Sequence, residues 1–79
     1  MEIPEFIRER YEVVIASDVA RDGMALELWD VPTGQLLIEV FYSDENGTMT
    51  TKQFRNNVPY EVSEWLLEEA QRQLPPQAV

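Results

Sequence analysis

Two glycine-closed turn signals, Val31-Pro32-Thr33-Gly34-Gln35 and Asp44-Glu45-Asn46-Gly47-Thr48, constrain this chain more than any other feature. In the first, Pro32 supplies the fixed φ of a leading corner and Gly34 the left-handed closing residue; in the second, Glu45 and Asn46 hold the corners and Gly47 closes. Runs that alternate in polarity flank both signals, so residues 24–54 read as a three-stranded antiparallel meander. If each loop has three residues, Val31 pairs with Gln35, and the register sets Leu28 opposite Ile38, Leu26 opposite Val40, Met24 opposite Tyr42 and Ile38 opposite Phe54. One face then carries Leu26, Leu28, Leu36, Ile38, Val40, Tyr42 and Phe54, which is a core. Lys52 lands beside Val40 on that face, tolerable only if the last strand is an edge whose lysine snorkels outward. A two-residue Asn46-Gly47 loop would instead set Lys52 opposite Phe41 and expose Phe54 opposite Glu39. Burial of Phe54, worth about 2 kcal/mol, favours the three-residue loop.

The same acidic stretch could pass for a calcium loop, and spacing tests that reading. With Gly47 as the sixth position of an EF-hand, Asn46 and Asp44 fall on ligand positions, but Tyr42 takes the first and Gln53 the twelfth, so both charged anchors are missing. Asn46-Gly47-Thr48 matches a glycosylation acceptor, but no secretory signal accompanies it.

Flanking elements follow from caps and periodicity. Arg21-Asp22-Gly23 is a third turn signal, and the β-branched run Val13-Val14-Ile15 before it predicts a strand from about Arg10 to Ser17, preceded by a short irregular or one-turn segment. The alternative is a long N-terminal helix, whose stripe would be Ile7, Tyr11, Val14, Ile15 and Val19. Asn56-Asn57-Val58-Pro59 predicts a helix start, with an asparagine cap, proline in the first turn and Glu61 and Glu64 at the positive end of the dipole. That helix runs to about Leu74, where Pro75-Pro76 stops it. Val62, Leu66, Ala70 and Leu74 form its packing stripe, with Trp65 and Leu67 on either side. The expected architecture is α+β: an antiparallel meander of about four strands with one C-terminal helix on one face, a single domain over 1–74 and a disordered tail over 75–79.

Composition excludes several chemistries. The 79 residues contain no cysteine and no histidine, which removes disulfides, thiolate zinc sites and imidazole catalysis together. Ser17, Ser43 and Ser63 have no base to activate them beyond the lone lysine, Lys52, and the three glycines sit in separate turns rather than in a phosphate loop. No cofactor and no metal is expected, and the chain reads as a non-enzyme. A net charge of −9 repels a phosphate backbone, so nucleic acid is not an expected partner. No segment has the length of a signal peptide's apolar region or of a membrane span, which gives a cytoplasmic reading with no membrane partner.

Two surface features remain. The three-residue register sets Glu27 opposite Glu39, a carboxylate pair that suits a small ligand or divalent cation, or else two solvated surface residues. Beside them, Trp29, Leu37 and Phe41 stand on the sheet face turned away from the helix, where a solvated sheet carries polar residues. With Trp65 on the helix flank they form a candidate interface, for a homodimer or for a basic protein partner. The function expected on these grounds is that of a small acidic protein-interaction domain that self-associates, with cation or ligand binding through Glu27 and Glu39 as the alternative.

The strings RDGMALELWD, LLIEVFYSD and FRNNVPYEVSEWLLEEAQRQL, which cover most of the chain from Arg21 to Leu74, resemble a group of small bacterial proteins of unknown function built as a β-meander plus C-terminal helix. The resemblance implies the same α+β fold and a bacterial cytoplasmic setting, and it assigns no catalytic residue.

Overall fold

In the computed structural model, which describes residues 1–75, a single helical turn α1 (Glu5–Arg8) leads into four strands, β1 (Tyr11–Asp18), β2 (Gly23–Asp30), β3 (Gln35–Ser43) and β4 (Met49–Gln53), and then into the helix α2 (Tyr60–Gln73). The strands form one antiparallel sheet in the order β1-β2-β3-β4. The N-terminal region is therefore a turn plus a strand, and the long-helix alternative is not formed. Most of the tail expected over 75–79 lies outside the described residues.

All three hairpins share one loop design. Asp18 pairs with Gly23, Asp30 with Gln35, and Ser43 carries bonds to both Thr48 and Gly47, so each loop holds four residues, at 19–22, 31–34 and 44–47. The fourth residue of each is left-handed: Asp22 at φ 54°, Gly34 at 70° and Gly47 at 68°. The residue before each loop is an oxygen-bearing side chain that braces it. Asp18 Oδ1 accepts the Arg21 amide at 3.0 Å, Ser43 Oγ accepts the Asn46 amide at 3.2 Å, and Asp30 Oδ2 accepts the Thr33 hydroxyl at 2.6 Å. Such side-chain oxygens take over backbone donors that a tight loop leaves unpaired.

The extra loop residue has opposite consequences in the two later hairpins. In β2–β3 a bulge between Leu28 and Trp29 absorbs it, so Leu28 does pair with Ile38, Leu26 with Val40 and Met24 with Tyr42. The residue left over is Leu37. It turns toward the helix and joins the core at 7% exposure, which corrects its expected place on the far face, while Leu36, expected in the core, pairs with Trp29 on that far face. The β3–β4 hairpin has no bulge, so its register slips by one: Ile38 pairs with Gln53, Val40 with Thr51 and Glu39 with Lys52. Phe54 is thus not buried opposite Ile38. It stays 39% exposed beside Lys52, whose ammonium lies 5.3 Å from its ring. Lys52 points away from the core and needs no snorkelling.

The core is built on the other side of the sheet. Val62, Leu66, Ala70 and Leu74 are all buried, as a period-four stripe requires, against Leu26, Leu28, Leu37, Ile38 and Val40. Ile7 of α1 is fully buried in the same cluster, so α1 closes the core on the helix side. Neither Asn56 nor Asn57 caps α2. The N-cap is Pro59, with no side-chain cap bond, and its carbonyl accepts the Val62 and Ser63 amides.

Candidate interaction surface

Both helices pack on one side, so the other side of the sheet, hereafter the outer face, has no covering element among the described residues. Strand alternation assigns it Glu12, Val14 and Ala16 from β1, Ala25, Glu27 and Trp29 from β2, Leu36, Glu39 and Phe41 from β3, and Thr50 and Lys52 from β4. Its middle is dry nonetheless: Ala25 is 2% exposed, Phe41 9% and Glu39 8%.

Arg21 seals that middle. It is the third residue of the β1–β2 loop, and its guanidinium lies 4.1 Å from the centroid of the Phe41 ring. Nη1 and Nη2 donate to the two oxygens of Glu39 at 3.0 and 2.7 Å, while Nε donates to Asp18 Oδ2. A planar fork facing a carboxylate on one side and stacked on a ring is a geometry lysine could not reproduce. Glu39 and then Asp18 hold the Arg21 guanidinium above its ordinary pKa, and the bond from Arg21 draws the Asp18 carboxyl below its own.

The carboxylate pair is placed as expected, with Glu27 directly opposite Glu39. Both acids are occupied, however. Glu39 is held by Arg21 and flanked by Lys52, and Glu27 accepts the Trp29 indole N–H at 3.0 Å. Among the described residues no group of three or more His, Cys, Asp or Glu side chains is arranged to hold a metal ion.

The four candidate interface residues separate. Trp29 is half-buried on the outer face, Phe41 lies beneath Arg21 on the same face, Leu37 is inside the core, and Trp65 packs half-buried against the core from α2. Leu36 takes the outer position expected for Leu37, opposite Trp29, while the half-buried Val14 lies on the far side of β2. Sequence reasoning missed Leu36 because it missed the bulge. It missed Arg21 because a loop residue has no face in a strand pattern; the signal was a cation three residues after Asp18 in a turn that folds toward Phe41.

Charge over the whole molecule is unbalanced. Ion pairs within the described residues engage Glu5, Asp18, Asp30, Glu39 and Glu69, five of the fifteen acidic residues. Glu12 and Glu27 on the outer face belong to the unpaired remainder.

Comparison of the chain with protein-family models, with curated proteins and with solved structures finds no match. What geometry defines is a class: a four-stranded antiparallel sheet backed on one side by a helix, with no element among the described residues packed on its other side.

Proposed function

We propose that the protein is a non-enzymatic interaction domain whose outer sheet face receives a basic protein partner. The observation that carries this reading is the outer face itself, where Trp29, Leu36 and Val14 lie half-buried with no element among the described residues over them. An indole beside aliphatic side chains, set among carboxylates, has the composition of an interface centre with a charged rim. Charge complementarity selects the occupant. Glu12 and Glu27 have no ion pair among the described residues, and a molecule at net −9 meets a lysine- or arginine-rich surface more favourably than a second copy of itself. Trp29 is the anchor, oriented by its indole bond to Glu27 and paired across the strands with Leu36.

The test is affinity capture from cells of the source organism on the immobilised wild-type chain and on Trp29→Ala, with sedimentation of both variants across a concentration series. The reading predicts a basic protein retained by the wild type at low salt, released as salt rises and lost with Trp29→Ala, while the chain alone sediments as a monomer. A wild-type dimer that Trp29→Ala dissociates transfers the face to self-association. A retained protein that ignores the substitution contradicts the role of the outer face.

A further inference from the structure

The β2–β3 loop lies at the end of the sheet opposite Arg21, where the segments just before β1 and just after β4 line a common cleft. From Asn46 to Tyr60 the sequence has no aspartate or glutamate and carries Lys52 and Arg55. Arg10, just before β1, and Arg55, just after β4, line one cleft of about 330 Å³ together with Tyr11, Asp30, Gln35 and Asn57. We propose that this cleft binds a small oxyanion, a carboxylate or a phosphate, gripped by the guanidinium ends of Arg10 and Arg55.

Both arginines are anchored through Nε. Arg10 Nε donates to Asp30 Oδ1 at 2.8 Å and Arg55 Nε donates to Gln35 Oε1 at 3.1 Å, while Asp30 and Gln35 are themselves cross-strand partners. Two guanidiniums are thereby tied to adjacent positions of one sheet end. A structural role for Arg10 is met by the Nε bond alone. Its terminal nitrogens make no hydrogen bond within the described residues, and Arg55 uses only Nη1, in a long 3.4 Å bond to the Phe54 carbonyl. The remaining N–H groups have the fork geometry that matches an oxyanion in a bidentate manner.

The acid within the cleft does not compete for them. Asp30 is 4% exposed, and its two oxygens are taken by Arg10 and Thr33. With two cations and one committed anion the cleft has a local excess of positive charge, and counter-ion screening over about 10 Å limits the reach of the distant carboxylates. Arg8, Arg21 and Arg72 all have carboxylate partners, whereas Arg55 has no ion pair among the described residues. Tyr11 and Asn57 also line the walls. The cleft opens on the helix side of the sheet, since Asn57, Val58 and Pro59 lead into α2, so it is independent of the outer face.

Titration of the ¹⁵N-labelled chain with sodium succinate and, separately, sodium phosphate tests the proposal, at pH 7 and constant ionic strength maintained with chloride. Saturable shifts of the Arg10 and Arg55 Nε–H and Asn57 amide signals are expected with at least one probe. Saturation by succinate alone identifies a carboxylate site, by phosphate alone a phosphate site, and by both a site for either group. Arg55→Gln, at an exposed position, weakens the affinity about tenfold or more through loss of charge-assisted bonds. Arg10→Lys, which keeps the charge but loses the fork, also weakens it, and Arg8→Gln on α1 leaves it unchanged. Shifts that stay linear with both probes, or saturation that Arg55→Gln leaves intact, overturn the proposal.

Discussion

Arg21 joins three residues that would otherwise compete poorly for burial: a phenylalanine on an open sheet face, a glutamate 8% exposed, and an aspartate at the mouth of a loop. Removing it leaves the Glu39 carboxylate without its fork and the Phe41 ring open to water. Arg21→Gln is therefore expected to destabilise the fold by about 1–2 kcal/mol in urea unfolding, after allowance for screening of a half-exposed guanidinium. A change near zero would mean that the stack is incidental. Asp30 and Asp18 both tie the stability of the fold to acid pH. The Thr33 hydroxyl and then the Arg10 guanidinium hold its carboxyl below the ordinary value of 3.8, and the Asp18 carboxyl is lowered likewise by Arg21. A depressed folded-state pKa contributes stability that is complete above the unfolded value and disappears as pH falls through the folded one. The melting temperature is thus expected to drop steeply below about pH 4, and Asp30→Asn to lower it at pH 7 while flattening that drop.

At the scale of elements, the hairpins explain what the sequence disclosed and what it hid. Alternation and glycine placement were enough to find β2, β3 and β4, the left-handed Gly34 and Gly47, and the Leu28–Ile38 register. The period-four stripe was enough for α2. Loop length was not legible, because a three-residue and a four-residue loop close on the same glycine, and only the bracing residue distinguishes them. Asp18, Asp30 and Ser43 each stand four positions before a left-handed residue, and that repeated interval was the available signal. The bulge at Leu37 cancelled the error in one hairpin; its absence in the other moved Phe54 from the core to the surface. Gly34→Ala isolates the conformational term, since a Cβ there meets no neighbour, and a loss of about 1 kcal/mol is expected from thermal unfolding. Gly23→Ala differs in kind. Its Cβ would run into the Tyr42 carbonyl and the Phe41 ring, so the edge of the outer face must shift and the loss should be severalfold larger.

At the scale of the whole molecule, a radius of gyration of 12.4 Å encloses one core made by one helix stripe, Ile7 of α1 and one side of a sheet. Leu66 is fully buried at its centre, and Leu66→Ala is expected to cost about 2–5 kcal/mol, a large part of the stability of so small a domain. The surplus of carboxylates should make the isolated chain more stable in moderate salt, as self-repulsion is screened. Association with a basic partner should respond in the opposite direction, weakening as salt rises. The outer face carries no covering element among the described residues, and a photo-reactive benzophenone amino acid placed there in living cells interrogates it directly. Substituted at Leu36 on the outer face and at Leu67 on the exposed flank of α2, it is predicted to give an adduct with a basic protein from position 36 and none from 67. An adduct from position 67 alone, or one from position 36 that contains only a second copy of the chain, would contradict the assignment of that face to a basic partner.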